Sequence, residues 1–216
     1  MNLKVEKGSY LVVSEWEFLS DKAVESQQVW YESRAKELMP SAVLYKGIDR
    51  NNLVLLYKVD AFSEIQAFIE SEEYEEFVHN LAPFMTSDFR QGIYGLADVV
   101  KSRDNLVPTT NYMQLRTIEV PLSGIDSYLE WRKGSIFKFV QKNEKVKSFL
   151  AFHSVISANP GVLFIAEFEK EPKEFRDSFL TPEYQEIIKE AGHDHIKGGL
   201  HTHEYELTVN QVVSNN

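Results

Sequence analysis

The sequence predicts an α+β fold in which one β-α-β-β-α-β unit occurs twice, its two antiparallel sheets packing into a single barrel within the chain. Three observations carry this reading. Runs with period-two apolar patterning alternate with runs of helical period. The order of those runs restarts after a polar, turn-forming stretch near residue 102. The chain also matches itself when shifted by 110 residues, which sets Leu53 on Leu163, Tyr74 on Tyr184 and Glu76 on Glu186. A sheet covered by helices on one side leaves its other apolar face in water, so each half needs the other as a partner layer.

Residues 10–18, YLVVSEWEF, are β-branched and aromatic, with Tyr10, Val12, Trp16 and Phe18 on one face and Glu15 and Glu17 on the other. Ser20 and Asp21 offer an N-cap to a helix on which Val24, Gln28, Tyr31, Ala35 and Leu38 recur until Pro40. Runs at 42–48 and 53–59 flank Asp49-Arg50-Asn51-Asn52, a turn-forming cluster, and read as a hairpin. Phe62 to Leu81 is a second amphipathic helix ended by Pro83, and residues 91–100 a closing strand.

The stretch SRDNLVPTTN, 102–111, is read as a linker between a first unit at 1–101 and a second at 112–216. In the second unit, 113–120 is a strand, 125–146 a helix, and 149–157 with 162–169 a hairpin around Asn159-Pro160-Gly161. Residues 172–190 form a helix and 200–209 the last strand. Ser71 and Thr181 coincide in the self-match as caps inside each second helix.

Composition narrows the function classes. A formal charge of −10 repels phosphate backbones, and no basic run interleaved with aromatics opposes it, so nucleic acid is not expected as a partner. The absence of cysteine excludes disulfides, thiolate nucleophiles and cysteine-based metal sites. Without a leader-like apolar run at the N-terminus or a membrane-length apolar stretch, the chain reads as soluble and cytoplasmic.

The segments SEEYEEFVH, 71–79, and TPEYQEIIK, 181–189, resemble the second helix of the dimeric α/β barrel superfamily, whose unit is ferredoxin-like. That resemblance covers nearly the whole chain. It implies a barrel that single-unit members build by dimerising, supplied here as a pseudo-dimer within one chain, with further homo-oligomerisation left open. The superfamily includes antibiotic-biosynthesis-type monooxygenases, polyketide cyclases, muconolactone isomerases, haem-degrading monooxygenases and stress-responsive barrel proteins. Haem is not expected, because His79 falls eight residues after Ser71 where the haem-binding pattern has seven, a turn of about 100° on the helix. No cofactor or metal is assigned.

The densest polar cluster is C-terminal. His201, His203 and Tyr205 share one strand face, with Thr202, Glu204 and Glu206 on the other. His193, Asp194 and His195 nearby could join a metal shell, but no established ligand spacing is present. His203 or His201 is a candidate general base in a pocket between sheet and helices, since imidazole titrates near neutral pH, and His153 on the second hairpin is a further candidate, a titratable group where the first half has Val43. Trp16, Trp30, Tyr94, Trp131, Phe152 and Tyr205 are candidate substrate-binding walls, a spacing that suits a plain core equally well. The resemblance implies cofactor-independent chemistry in which a base deprotonates an electron-rich phenol or enol. The expected function is therefore a monooxygenase-like or isomerase-like enzyme acting on an apolar aromatic or polyketide-like molecule. A non-catalytic ligand-binding or stress-related barrel is the alternative.

Overall fold

The computed structural model describes residues 5–102, 105–157 and 159–209. Eight strands, β1 (Tyr10–Glu17), β2 (Val43–Gly47), β3 (Asn52–Val59), β4 (Arg90–Lys101), β5 (Tyr112–Glu119), β6 (Ser148–Ile156), β7 (Val162–Phe168) and β8 (Lys197–Leu207), close into one antiparallel barrel in the order β1-β3-β2-β8-β5-β7-β6-β4. Each half supplies four consecutive positions of that ring. Closure removes the open sheet edges that two separate sheets would present.

The helices form more pieces than the periodicity predicts. The four expected helices are each broken in two: α1 (Ala23–Glu32) and α2 (Ala35–Leu38), α3 (Phe62–Ile69) and α4 (Glu72–Leu81), α5 (Ile125–Gly134) and α6 (Ile136–Lys142), α7 (Pro172–Asp177) and α8 (Pro182–Asp194). Small hydroxyl residues mark the breaks. Ser33 Oγ accepts from Ala35 N at 3.0 Å, Ser71 Oγ from Tyr74 N at 3.1 Å and Thr181 Oγ1 from Tyr184 N at 3.2 Å, each offering a backbone donor an alternative to the helical ladder. The expected cap at Ser20-Asp21 is corrected: α1 starts after Lys22 with no side-chain cap.

Three apolar clusters follow from strand alternation. Trp16, Trp30 and Phe77 centre the layer between the first sheet and α1–α4. Phe137, Phe164 and Phe175 belong to the equivalent layer of the second half. Leu11, Val54, Leu96, Met113, Phe152 and Ile165 fill the barrel interior, joined by Leu106 and Val107 from the segment between the halves. That segment is tied down where the Glu167 carboxylate accepts from Thr109 N at 2.6 Å and Thr110 N at 3.2 Å, and Tyr45 Oη donates to Thr110 O.

The two seams of the barrel differ. At β4–β6 seven positions pair between Ile93 and Lys101, with bulges. At β2–β8 only Tyr45, Lys46 and Gly47 pair, with Leu207, Glu206 and Tyr205. N-terminal to Glu204, β8 pairs with β5 alone among the described residues, and the start of that pairing is offset between Ile118 and Glu119. Gly198 and Gly199, at φ 73° and 84°, take up the offset in the left-handed region that side chains disfavour.

Candidate functional site

Alternation along β8 places His201, His203 and Tyr205 on one face, as expected, but that face is the barrel interior. The expectation that His201 and His203 lie between sheet and helices is thereby corrected. The inward side chains of β1, β4, β5 and β8 converge at one mouth of the barrel on a cleft of about 330 Å³, lined by Glu15, Arg50, Tyr94, Leu115, His201, His203 and Tyr205 among others. Below it the interior is packed with Phe152, Met113 and Leu150.

His203 is half-buried, and its acidity is set by position. Burial lowers its pKa below the usual value near 6.5, and the positive charge of Arg50 lowers it further against an opposing pull from Glu15. Among the described residues it has no hydrogen-bond partner, so its lone pair remains available. His201 is exposed at the rim.

The mouth is braced by a polar network. Arg50 Nη2 lies 3.6 Å from Glu15 and 3.5 Å from Glu17, and Arg90 Nη2 lies 3.3 Å from Glu17. The fully buried Asn52 donates Nδ2–H to Glu15 at 2.7 Å and to Tyr205 Oη at 3.4 Å. Burial, reinforced by Glu15, pushes the Tyr205 phenol well up, so it stays protonated at neutral pH. Tyr94 Oη lies 3.0 Å from Ser157 Oγ, and Asn159 Nδ2 lies 3.5 Å from the same phenol, which ties the β6–β7 loop to the rim.

The remaining candidates separate. His153 is buried beneath the second-half helices, where its Nε2 lies 3.4 Å from Arg132 Nη2, and Arg132 pairs with Asp98. Burial, helped by Arg132, lowers its pKa to about 4. It is sealed under those helices rather than in the barrel mouth. Trp16 and Trp30 are core residues of the first half, Trp16 donating Nε1–H to Ser26 Oγ at 3.1 Å. Phe152 packs inside the barrel, and Trp131, on α5, lies beside His195, ring centroids 4.9 Å apart. Four of the nine candidates, His201, His203, Tyr94 and Tyr205, therefore share the mouth. Among the described residues no three histidines or carboxylates gather as a metal shell.

Sequence reasoning missed Arg50 and Glu15. Arg50 reads as part of a turn, and Glu15 as the exposed side of a strand, because a solvated face and a barrel mouth have the same polar signature. The available signal was Glu15 sharing a strand face with Leu11 and Val13, which puts a charge at the end of an apolar stripe.

No protein-family model matches the chain, and no curated protein sequence matches it. Solved structures share its fold. A proposed monooxygenase from Fusobacterium nucleatum subsp. nucleatum is 10% identical, with 92% of each chain covered and a TM-score of 0.65. An anthrone oxidase-like protein is 9% identical over 94% of this chain and 93% of its own, with a TM-score of 0.72. A heme-degrading enzyme from Listeria monocytogenes is 10% identical over 92% of this chain and 99% of its own, with a TM-score of 0.51. The likeness runs through both halves, so the shared feature is the whole α/β barrel. At such identities it is a likeness of fold and transfers no residue's role. Among the described residues no helix is long and apolar enough to cross a membrane.

Proposed function

We propose that this chain is a small-molecule enzyme of the monooxygenase-like or isomerase-like kind, working at the barrel mouth on an apolar aromatic or polyketide-like compound with His203 as general base. The observation that carries the reading is a half-buried imidazole with a free lone pair, kept neutral by burial and by Arg50, on a cleft large enough for a small aromatic molecule. Leu115, Leu163 and Tyr94 offer the apolar wall. Proton transfer from an acidic C–H or phenol to His203 leaves an enolate or phenolate, which the Arg50 guanidinium stabilises. Reprotonation at another carbon completes an isomerisation, and dioxygen as co-substrate oxidises the anion in an oxygenation. The names of the structural neighbours lend the oxygenation branch its support.

The test uses anthrone, whose methylene protons are acidic, and follows both deuterium exchange and oxygen consumption. His203→Ala and His203→Gln are expected to lower either rate by a factor of about 10² to 10⁴ without moving Tm. A base must be neutral to act, so the acid limb of kcat/KM should lie below pH 6.5, the usual histidine value, and Arg50→Gln should move it upward. Activity within twofold of wild type in His203→Ala would remove the base from the mechanism. The packed interior below the mouth favours the second reading, a barrel that binds ligand without chemistry. In that case native mass spectrometry of protein from its own host would show a retained compound that the purified protein leaves unchanged.

A further inference from the structure

Hydrogen-bond accounting at the barrel mouth leaves one buried proton without an acceptor. Among the described residues three tyrosines belong to the interior cluster, and two are paired, Tyr45 Oη donating to Thr110 O at 2.6 Å and Tyr94 Oη lying 3.0 Å from Ser157 Oγ. Tyr205 differs. Its Oη accepts from Asn52 Nδ2 at 3.4 Å, and because an amide nitrogen can only donate, the phenol proton is left for another partner. Among the described residues none receives it. A buried hydroxyl whose proton goes unused loses the bond it had to water, which a ligand oxygen would restore.

The surroundings of Asn52 fix the direction of that bond. The same Nδ2 donates to the Glu15 carboxylate at 2.7 Å, and turning the amide over would press its oxygen against a second acceptor. The Asn52 Oδ1 instead faces Gly47, where an added Cβ would stand 2.0 Å from it, so the amide occupies the room that glycine leaves. Asn52 is thus wedged, and its donor stays turned toward Tyr205. Tyr205 lines the mouth cleft and shares a strand face with His203 two residues away, a separation of about 7 Å along β8. One small molecule can span that interval, with an acidic C–H at the imidazole and a conjugated oxygen at the phenol.

We propose that Tyr205 is a catalytic hydrogen-bond donor and that the substrate class is a conjugated, enolisable ketone whose carbonyl oxygen accepts from Tyr205 Oη. Asn52 is the positioning residue that turns the O–H toward it. The proposal rests on the mouth being the reaction site with His203 as base. In the step the substrate C–H bond breaks, an N–H bond forms on His203, and the electron pair moves through the conjugated carbons to the carbonyl oxygen, where the Tyr205 O–H meets the developing charge. The phenol keeps its own proton throughout, since burial and Glu15 hold its pKa well up. Selectivity follows, because a ring of the same shape without the carbonyl leaves the Tyr205 proton unpaired.

Fluorenone and fluorene serve as probes, matched in ring and different in the carbonyl. Fluorenone has no hydrogen beside its carbonyl, so it reads the donor without asking for turnover. Equilibrium dialysis with the full chain is expected to give fluorenone about fivefold tighter binding than fluorene, and infrared spectroscopy a bound carbonyl band below its frequency in a hydrocarbon solvent. His203→Ala should keep both results, and Tyr205→Phe should lose both. Asn52→Asp, which puts an acceptor where the donor was, should draw the phenol proton to itself and abolish the band shift with the Tyr205 hydroxyl still present. Circular dichroism and Tm establish folding; if Tyr205→Phe is not folded, Asn52→Asp decides, and if neither is, the wild-type ratio and band decide. Equal affinities, an unshifted band or no binding of fluorenone overturns the proposal. So does a shift that survives Tyr205→Phe and is lost in Arg50→Gln, which would give the carbonyl to the guanidinium, and a shift that survives Asn52→Asp removes the positioning role. Failure of the base reads differently: anthrone exchange unaffected by His203→Ala, with the carbonyl shift intact, removes His203 and leaves the Tyr205 donor standing.

Discussion

The two halves carry the same hydrogen-bond circuit built from different residues. In the first, Tyr74 Oη donates to Gln91, whose Nε2 donates to Ser14 Oγ; in the second, Arg116 reaches both Tyr184 Oη and Thr202 Oγ1. Tyr74 and Tyr184 coincide in the self-match, and Ser14 pairs across the sheet with Gln91 as Arg116 pairs with Thr202. One half closes the circuit with neutral groups over a core of Trp16, Trp30 and Phe77. The other places the Arg116 cation at the same point, over a core of Phe137, Phe164 and Phe175. A duplicated fold thus keeps one circuit while exchanging a neutral bridge for a charged one.

The comparison breaks first if the sealed half is not the stiffer one. Trp16 is fully buried, so Trp16→Ala should cost about 3 to 5 kcal/mol in urea unfolding. Ile187→Ala, at a partly buried position of the second-half layer, should cost clearly less. Equal losses would mean that this layer is packed as tightly as the first-half core.

His153 sharpens the contrast through pH, because the self-match places it opposite Val43 of the first half. Its folded pKa of about 4 lies below the unfolded value near 6.5, so the unfolded chain takes up the proton first as pH falls. Its stabilising contribution is complete above pH 6.5 and is lost between pH 6.5 and about 4, by about 3 kcal/mol in all. His153→Val should flatten that window in denaturant titrations at pH 7 and pH 4.5. An unchanged slope would place the acid sensitivity elsewhere.

The smallest effect tests what the halves share. Ser71→Ala and Thr181→Ala each remove one N-cap acceptor and should each cost about 1 kcal/mol. A cost at only one of the two sites would show that the equivalence of the helices is geometric without being energetic.

Much of the fold was legible before any coordinates. Strand alternation sorted His201, His203 and Tyr205 from Thr202 and Glu204 correctly, because side-chain direction in a strand is a local property of the backbone. The Ser71 and Thr181 caps were visible for the same reason, since a cap needs only a hydroxyl and the amide three residues on. The break at Ser33 was not, because apolar periodicity continues through it and only the geometry of the packed layer decides which turn is given up.

The amino-acid sequence by itself determined the element order, its duplication and the need for two sheets to cover one another, each a consequence of periodicity and of apolar surface avoiding water. It did not determine which side of the closed barrel a given strand face looks toward. Tertiary structure alone put His203 in the mouth beside Arg50 and Arg116 under the helices, and left the β2–β8 seam only three pairs long. These outcomes rest on pairings between residues as far apart as Gly47 and Tyr205, and no local pattern records a contact of that range.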